Sequence, residues 1–96
     1  VLATFVSPYI DRRQQTREEI NEFMMVYVRT PVEECIKRDV KGMYAKALAG
    51  EIKGFTGIDD PYEAPVEPEL VVDTDKETVE ESVQKVLAEM EKRGYL

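Results

Sequence analysis

Phe23-Met24-Met25-Val26-Tyr27-Val28, running on into Arg29-Thr30-Pro31-Val32-Glu33-Glu34-Cys35, is the stretch that decides the fold. An apolar run of this length, with β-branched and aromatic residues in its second half, reads as a strand buried on both faces rather than one with a wet side. Thr30 and Pro31 then change the backbone regime. A threonine hydroxyl can accept from the open amides of a first helical turn, proline suits the first helical position because its missing N–H would find no partner there, and Glu33 supplies the third-residue carboxylate of a capping box. A buried strand that passes straight into a capped helix is half of a βαβ unit and points to a parallel sheet.

The same logic extends in both directions. Residues 1–6 (Val1-Leu2-Ala3-Thr4-Phe5-Val6) read as another buried strand, closed by Ser7-Pro8. Residues 11–21 are polar and helix-permissive, with Ile20 as the main apolar contact. Helices are expected at about 31–37 and 41–49, the second closed by Gly50. Residues 51–69 hold Gly54, Gly57, Pro61, Pro65 and Pro68 without an apolar period, so an irregular and functional loop is expected. Leu70-Val71-Val72 reads as a third strand. A last helix over about 76–93 places Val79, Val83, Val86, Leu87 and Met90 on one face and stops at Gly94; Thr74 with Glu77, or Thr78 with Glu81, could cap it. Three strands leave an open sheet edge, so a further N-terminal portion of the fold is expected outside these residues.

The 96 residues bound the chain to one domain or part of one. With 43% hydrophobic and 34% charged residues the composition is globular, not disordered. The longest apolar run, residues 23–28, is far short of the roughly 20 residues of a membrane-spanning helix, and residues 1–6 lack the flanks of a signal peptide. Cys35 has no second cysteine to pair with, which fits a reducing cytoplasm. No histidine is present, so no His-based metal site or base is expected, and the acidic stretch has no EF-hand spacing.

A net charge of −7 argues against a nucleic-acid partner. Its distribution says more. Lys37, Arg38, Lys41, Lys46 and Lys53 stand against only Asp39 and Glu51, whereas from Asp59 to Glu81 only Lys76 interrupts a series of acids. An acidic chain with one basic cluster is either reserving it for a small anion or showing a solvated helix face.

Two segments make the choice specific: Arg38-Asp39-Val40-Lys41-Gly42-Met43-Tyr44, and Gly50-Glu51-Ile52-Lys53-Gly54-Phe55-Thr56-Gly57-Ile58-Asp59-Asp60-Pro61-Tyr62-Glu63-Ala64-Pro65. Together they closely resemble the lid region of the adenylylsulfate kinases. Val6-Ser7-Pro8-Tyr9, the Val28–Cys35 element and Asp73-Thr74-Asp75 with Glu77 resemble further family elements in the same order, so the resemblance covers nearly the whole chain. It implies the C-terminal part, including a lid over about 38–65, of a P-loop kinase domain: a parallel sheet flanked by helices. The implied reaction is ATP-dependent phosphorylation of adenosine 5′-phosphosulfate (APS) at its 3′-hydroxyl, giving 3′-phosphoadenosine 5′-phosphosulfate (PAPS), with magnesium. No G-x-x-x-x-G-K-[ST] phosphate loop occurs in the sequence. The resemblance places that loop, the general base and the magnesium ligands outside these residues, so the chain by itself is expected to be inactive.

Residue by residue, the resemblance assigns Val6, Ser7, Lys41, Phe55, Thr56 and Gly57 to APS, and Arg38 and Thr74 to ATP. Arg38 would lay its planar guanidinium on the ATP adenine. Lys41 would bring a mobile charge to the phosphosulfate, and Phe55 would stack on the APS adenine. Ser7 stands where the family's serine is described as a phosphoserine intermediate; nothing in this sequence is placed to activate its hydroxyl, so an APS contact is expected instead. The plain structural readings are a surface ion pair for Arg38 with Asp39 or a helical neighbour, a loop anchor for Phe55, a strand-ending turn for Ser7 and a helix N-cap for Thr74. Tyr62 and Glu63 are expected to shape the end of the lid. Where the family has arginine and aspartate, this sequence has Ile10 and Arg29, which puts substrate contacts near the first helix in doubt. The implied partners are the small molecules APS and ATP, with no nucleic acid and no membrane; a homodimer, and fusion to an ATP sulfurylase, stay open. So do two rival readings: another P-loop small-molecule kinase, and a non-catalytic nucleotide-binding or interaction module.

Overall fold

The structure, a computed structural model, describes residues 1–58 and 60–95. Asp59, inside the lid motif, and Leu96, at the last position, lie outside them. In chain order the elements are α1 (Ile10–Glu19), β1 (Val26–Arg29), α2 (Val32–Arg38), α3 (Met43–Leu48), β2 (Leu70–Asp73) and α4 (Val79–Lys92). They form two units. Val1–Phe23 and Asp39–Val66 make one, and Met24–Arg38 with Glu67–Leu96 the other.

The second unit is the sheet. β1 and β2 pair in parallel, with Val26 opposite Leu70 and Arg29 opposite Asp73. The backbone carbonyl of Met25 starts the ladder by accepting from the amides of Glu69 and Leu70. Met25 and Val72 are buried there, but Val26 and Tyr27 are half-buried and Val28 is exposed, so β1 is not buried on both faces as its apolar run suggests. Helix α4 lies against β2, and the Lys85 ammonium reaches the Val71 carbonyl at 3.3 Å.

Helix α4 starts later than its sequence suggests, at Val79 rather than about Lys76. Thr78 forms the complete capping box: its side chain accepts from the Glu81 amide, and the Glu81 carboxylate accepts from the Thr78 amide. Donation from those groups holds the Glu81 carboxyl below its usual pKa. The earlier candidate fails because the Glu77 carboxylate accepts from the Asp73 amide at 2.5 Å instead. The helix ends as expected at Gly94, whose positive φ of 77° suits glycine. The Gly94 amide bonds Glu91 and the Tyr95 amide bonds Met90, satisfying two terminal carbonyls. The apolar face of α4 is only partly covered: Val86 and Met90 are half-buried, whereas Val79, Val83 and Leu87 are exposed.

The first unit has little regular structure. Residues 1–6 form no strand, and Val1, Leu2, Phe5 and Val6 are exposed. β-forming side chains set a propensity, but a strand exists only with a ladder partner, and among the described residues β1 and β2 pair only with each other. Helix α1 is polar after Ile10, and its Arg13 is buried. Helix α3 buries Ala47. It is shorter than the expected 41–49 and stops before Gly50, which has a φ of 80°. The described residues of 51–69 are irregular apart from an isolated bridge between Thr56 and Asp60, as the glycines and prolines imply. Among the described residues no helix is long and apolar enough to cross a membrane.

Candidate functional site

In the sheet unit the chemistry gathers at the C-terminal ends of the two parallel strands, where open α/β sheets bind ligands. Arg38, the last residue of α2, donates to the Thr74 carbonyl at 2.8 Å, to the Thr74 hydroxyl at 3.4 Å and to Glu34 Oε1 at 3.2 Å. The Thr74 hydroxyl also pairs with the Thr30 hydroxyl, which joins the ends of β1 and β2. Arg38 is therefore paired with Glu34 one helical turn back, not with Asp39. These bonds use the in-plane N–H groups of the guanidinium. A groove of about 360 Å³ opens beside it, lined by Arg38, Thr74, Thr78, Val79, Ser82 and Val83 among others. The Ser82 hydroxyl is buried without a hydrogen-bond partner among the described residues.

Arg29 makes two contacts with Asp73, its partner in the ladder, at 2.6 and 2.9 Å. The guanidinium holds the Asp73 carboxyl below its usual pKa. The pair is exposed and adds little to stability. Its effect is to commit Arg29 to its neighbouring strand.

In the other unit Asp39 has a structural duty. Its two carboxylate oxygens accept from the amides of Tyr44 and Ala45, each at 3.0 Å, and so close the N-terminus of α3. Gly42 precedes that helix with φ 68°, a left-handed conformation that favours glycine. The Arg-Asp-x-Lys-Gly spacing thus caps α3 and leaves Lys41 exposed on the turn between cap and helix. The ion pairs found among the described residues do not include Lys41.

Tyr44 faces Phe55 with perpendicular rings whose centroids are 5.0 Å apart. Phe55 is half-buried, so the anchoring contact is real; an edge-on pair still leaves ring surface for another partner. The Phe55 carbonyl accepts from the amides of Ile58 and Asp60, and the Gly57 amide donates to the Asp60 carbonyl at 2.7 Å. Gly57 has φ 90°, so the turn that presents Phe55, Thr56 and Gly57 depends on that residue having no Cβ.

The residues that follow Ser7 bond Asp60 and Glu63. The Tyr9 hydroxyl donates to Asp60 Oδ2 at 2.8 Å, and the Glu63 amide donates to the Pro8 carbonyl at 2.8 Å. The Ile10 amide donates to Glu63 Oε1 at 2.8 Å, so at that position the backbone makes the contact. The Arg13 guanidinium donates to the carbonyls of both Ser7 and Glu63 and lies 5.3 Å from the Tyr62 ring centre. The Asp60 carboxylate raises the Tyr9 pKa by accepting its hydrogen bond and repelling the phenolate.

The residues expected at the two nucleotides fall in separate units. Val6, Ser7, Lys41, Phe55, Thr56 and Gly57 share one, with Val6 exposed and Ser7 half-buried; Arg38 and Thr74 share the other. Thr74 does not cap α4. Cys35 is a free, half-buried thiol on α2 rather than a buried one. Sequence reasoning missed Asp39 as a helix cap, although Asp ahead of a Gly and an apolar helix is a signal for one. It missed Arg13 and Ser82, which carry no local signal.

The family model described as adenylylsulphate kinase matches residues 1–73. The chain is 59% identical to the adenylyl-sulfate kinase of Halothermothrix orenii over 95 residues, 99% of this chain and 51% of that protein. It is 55% identical over 91 residues, 95% of this chain, to a Sorangium cellulosum protein named "Probable bifunctional SAT/APS kinase 2", of which it covers 16%. The structure of the Mycobacterium tuberculosis APS kinase CysC in complex with AMPPNP and APS superposes with a TM-score of 0.78 at 40% identity, covering 88% of this chain and 50% of that one. The chain therefore spans about half the length of the stand-alone relatives it matches. Their shared architecture is the parallel α/β kinase fold to which β1, β2 and their helices conform. With a family match over three-quarters of its length and curated homologues along nearly all of it, this chain belongs to the adenylylsulphate kinase family.

Proposed function

We propose that the protein carrying this chain is an APS kinase, transferring the γ-phosphoryl group of ATP to the 3′-hydroxyl of APS to give PAPS and ADP. The observation that carries the reading is the partition of candidate residues into two clusters, which the reading assigns to the two nucleotides. Arg38 is held by Thr74 beside a groove, and Phe55 stands on a glycine turn whose Asp60 bonds Tyr9, two residues from Ser7. A two-nucleotide reaction needs two such places.

Phosphoryl transfer is mostly positioning and charge neutralisation. Arg38 would orient ATP through its adenine, with the Thr74 segment fixing the guanidinium plane. Phe55, Thr56, Gly57, Val6 and Ser7 would orient APS. Lys41, exposed and outside the ion pairs found among the described residues, would swing its ammonium to the phosphosulfate and help exclude water. Ser7 acts as a contact and not as a nucleophile: among the described residues no base stands on its hydroxyl. No group of three or more His, Cys, Asp or Glu side chains among the described residues is placed to hold a metal. These residues do not fit a magnesium site, and none of their roles runs through the ion. A cytoplasmic setting fits the lone free thiol, and fusion to a sulfurylase has a precedent in the name of the Sorangium cellulosum relative.

The test is an assay of the gene-encoded protein with ATP, APS and magnesium. PAPS and ADP are expected in equal amounts, and the 96-residue chain alone is expected to form none, because it contains no phosphate loop. Phosphorylation of a different acceptor in preference to APS, or turnover by the chain alone, would overturn the reading.

A further inference from the structure

Arginine in the middle of a polar helix normally reaches into water. Arg13 does the opposite: it is 8% exposed, the one buried charged residue among those described. A buried guanidinium needs its donors satisfied, and the partners it uses are two backbone carbonyls far apart in sequence, those of Ser7 and Glu63. A backbone carbonyl carries no side-chain function, so what such a contact fixes is the path of the chain. The Tyr62 ring closes one face of the guanidinium at 5.3 Å. Asp60 extends the linkage to the aromatic turn: its carboxylate takes the Tyr9 hydroxyl, while its backbone bonds Phe55 and Gly57. The segment bearing Ser7 and the turn bearing Phe55 are thus tied through one seam whose buried member is Arg13.

We infer that Arg13 is a positioning residue for APS: it binds no substrate, and by bridging the Ser7 and Glu63 carbonyls it sets the spacing between the Ser7 segment and the Phe55 turn that together hold APS. The inference rests on the proposed assignment of those two segments to APS. Guanidinium is required because its fork reaches two acceptors at once in fixed directions, which a single ammonium does not reproduce.

The test compares the gene-encoded protein with its Arg13→Lys variant, measuring KM for APS, KM for ATP, kcat and the thermal midpoint. Arg13→Lys is expected to raise the APS KM about tenfold, since hydrogen bonds from charged groups are the stronger ones, and to leave the ATP KM within about twofold. Tyr62→Leu removes a half-exposed ring and keeps the fork; it is expected to raise the APS KM about threefold, as a lost cation–π contact would. An unchanged APS KM in Arg13→Lys, or equal rises for APS and ATP, would show a purely structural residue and overturn the inference. If Arg13→Lys does not fold, Tyr62→Leu decides, and an unchanged APS KM there overturns it. Failure of the unmodified protein to use APS would overturn the proposed function and this inference with it, and the unmodified control makes the two failures distinguishable.

Discussion

Phe55→Ala in the gene-encoded protein is expected to weaken APS binding by about 1–3 kcal/mol, the range for removing an aromatic platform from under a base, or about 5- to 150-fold in Kd. The affinity for ATP is expected to hold. The turn beneath the ring sets the size of the effect. Gly57 at φ 90° and the Phe55–Asp60 backbone bonds fix where the ring stands, and Tyr44 meets it edge-on at 5.0 Å. A ring held in this way loses little freedom when a base stacks on it. Because Phe55 also packs on Tyr44, Ala could weaken binding by loosening the loop. Phe55→Trp separates the causes: it keeps a π-face and is expected to stay within a few-fold of the original affinity. Isothermal titration with APS reads both variants. An unchanged Kd in Phe55→Ala would remove the ring from the site.

Lys41→Met is expected to lower kcat about a hundredfold, the scale on which a single group aimed at transition-state charge contributes, with the ATP KM and the thermal midpoint nearly unchanged. The separation of effects follows from geometry. Lys41 is exposed and stands outside the ion pairs found among the described residues, so its removal breaks nothing in the resting fold. The turn around it is built by other residues: Asp39 closes α3 through the amides of Tyr44 and Ala45, and Gly42 supplies the left-handed step. A lysine with this support and no ion pair among the described residues can turn to an anion. Steady-state kinetics checks the prediction, and a kcat within twofold of the original would assign Lys41 to solvent.

How much of this was legible in the sequence varied with the range of the interaction. The parallel pair β1–β2 was legible from the apolar runs at residues 23–28 and 70–72, but the burial on both faces that those runs suggest was not found: Val28 is exposed and Val26 and Tyr27 are half-buried. The strand expected at residues 1–6 was not formed, since composition reports propensity and cannot report a partner. The late start of α4 turned on a competition between two equally good capping boxes. It was decided by the Glu77 carboxylate going to the Asp73 amide, a local choice that the spacing alone leaves open. The irregular loop within 51–69 was legible from its glycines and prolines. Its seam to the Ser7 segment was not, because Arg13 looks like any arginine of a solvated helix and its two acceptors are backbone carbonyls, which every residue has. Arg38 was visible as a charged residue in a motif, whereas its choice of Glu34 and Thr74 over Asp39 depended on Asp39 being occupied as a cap.

The measurement that bears most directly on the account is a crystal structure of the gene-encoded protein with APS and a non-hydrolysable ATP analogue. The account predicts the Phe55 ring flat against the APS adenine, the Arg38 guanidinium flat against the adenine of the ATP analogue, and the Lys41 ammonium at the phosphosulfate. Both nucleotides bound with Phe55 and Lys41 touching neither would contradict it.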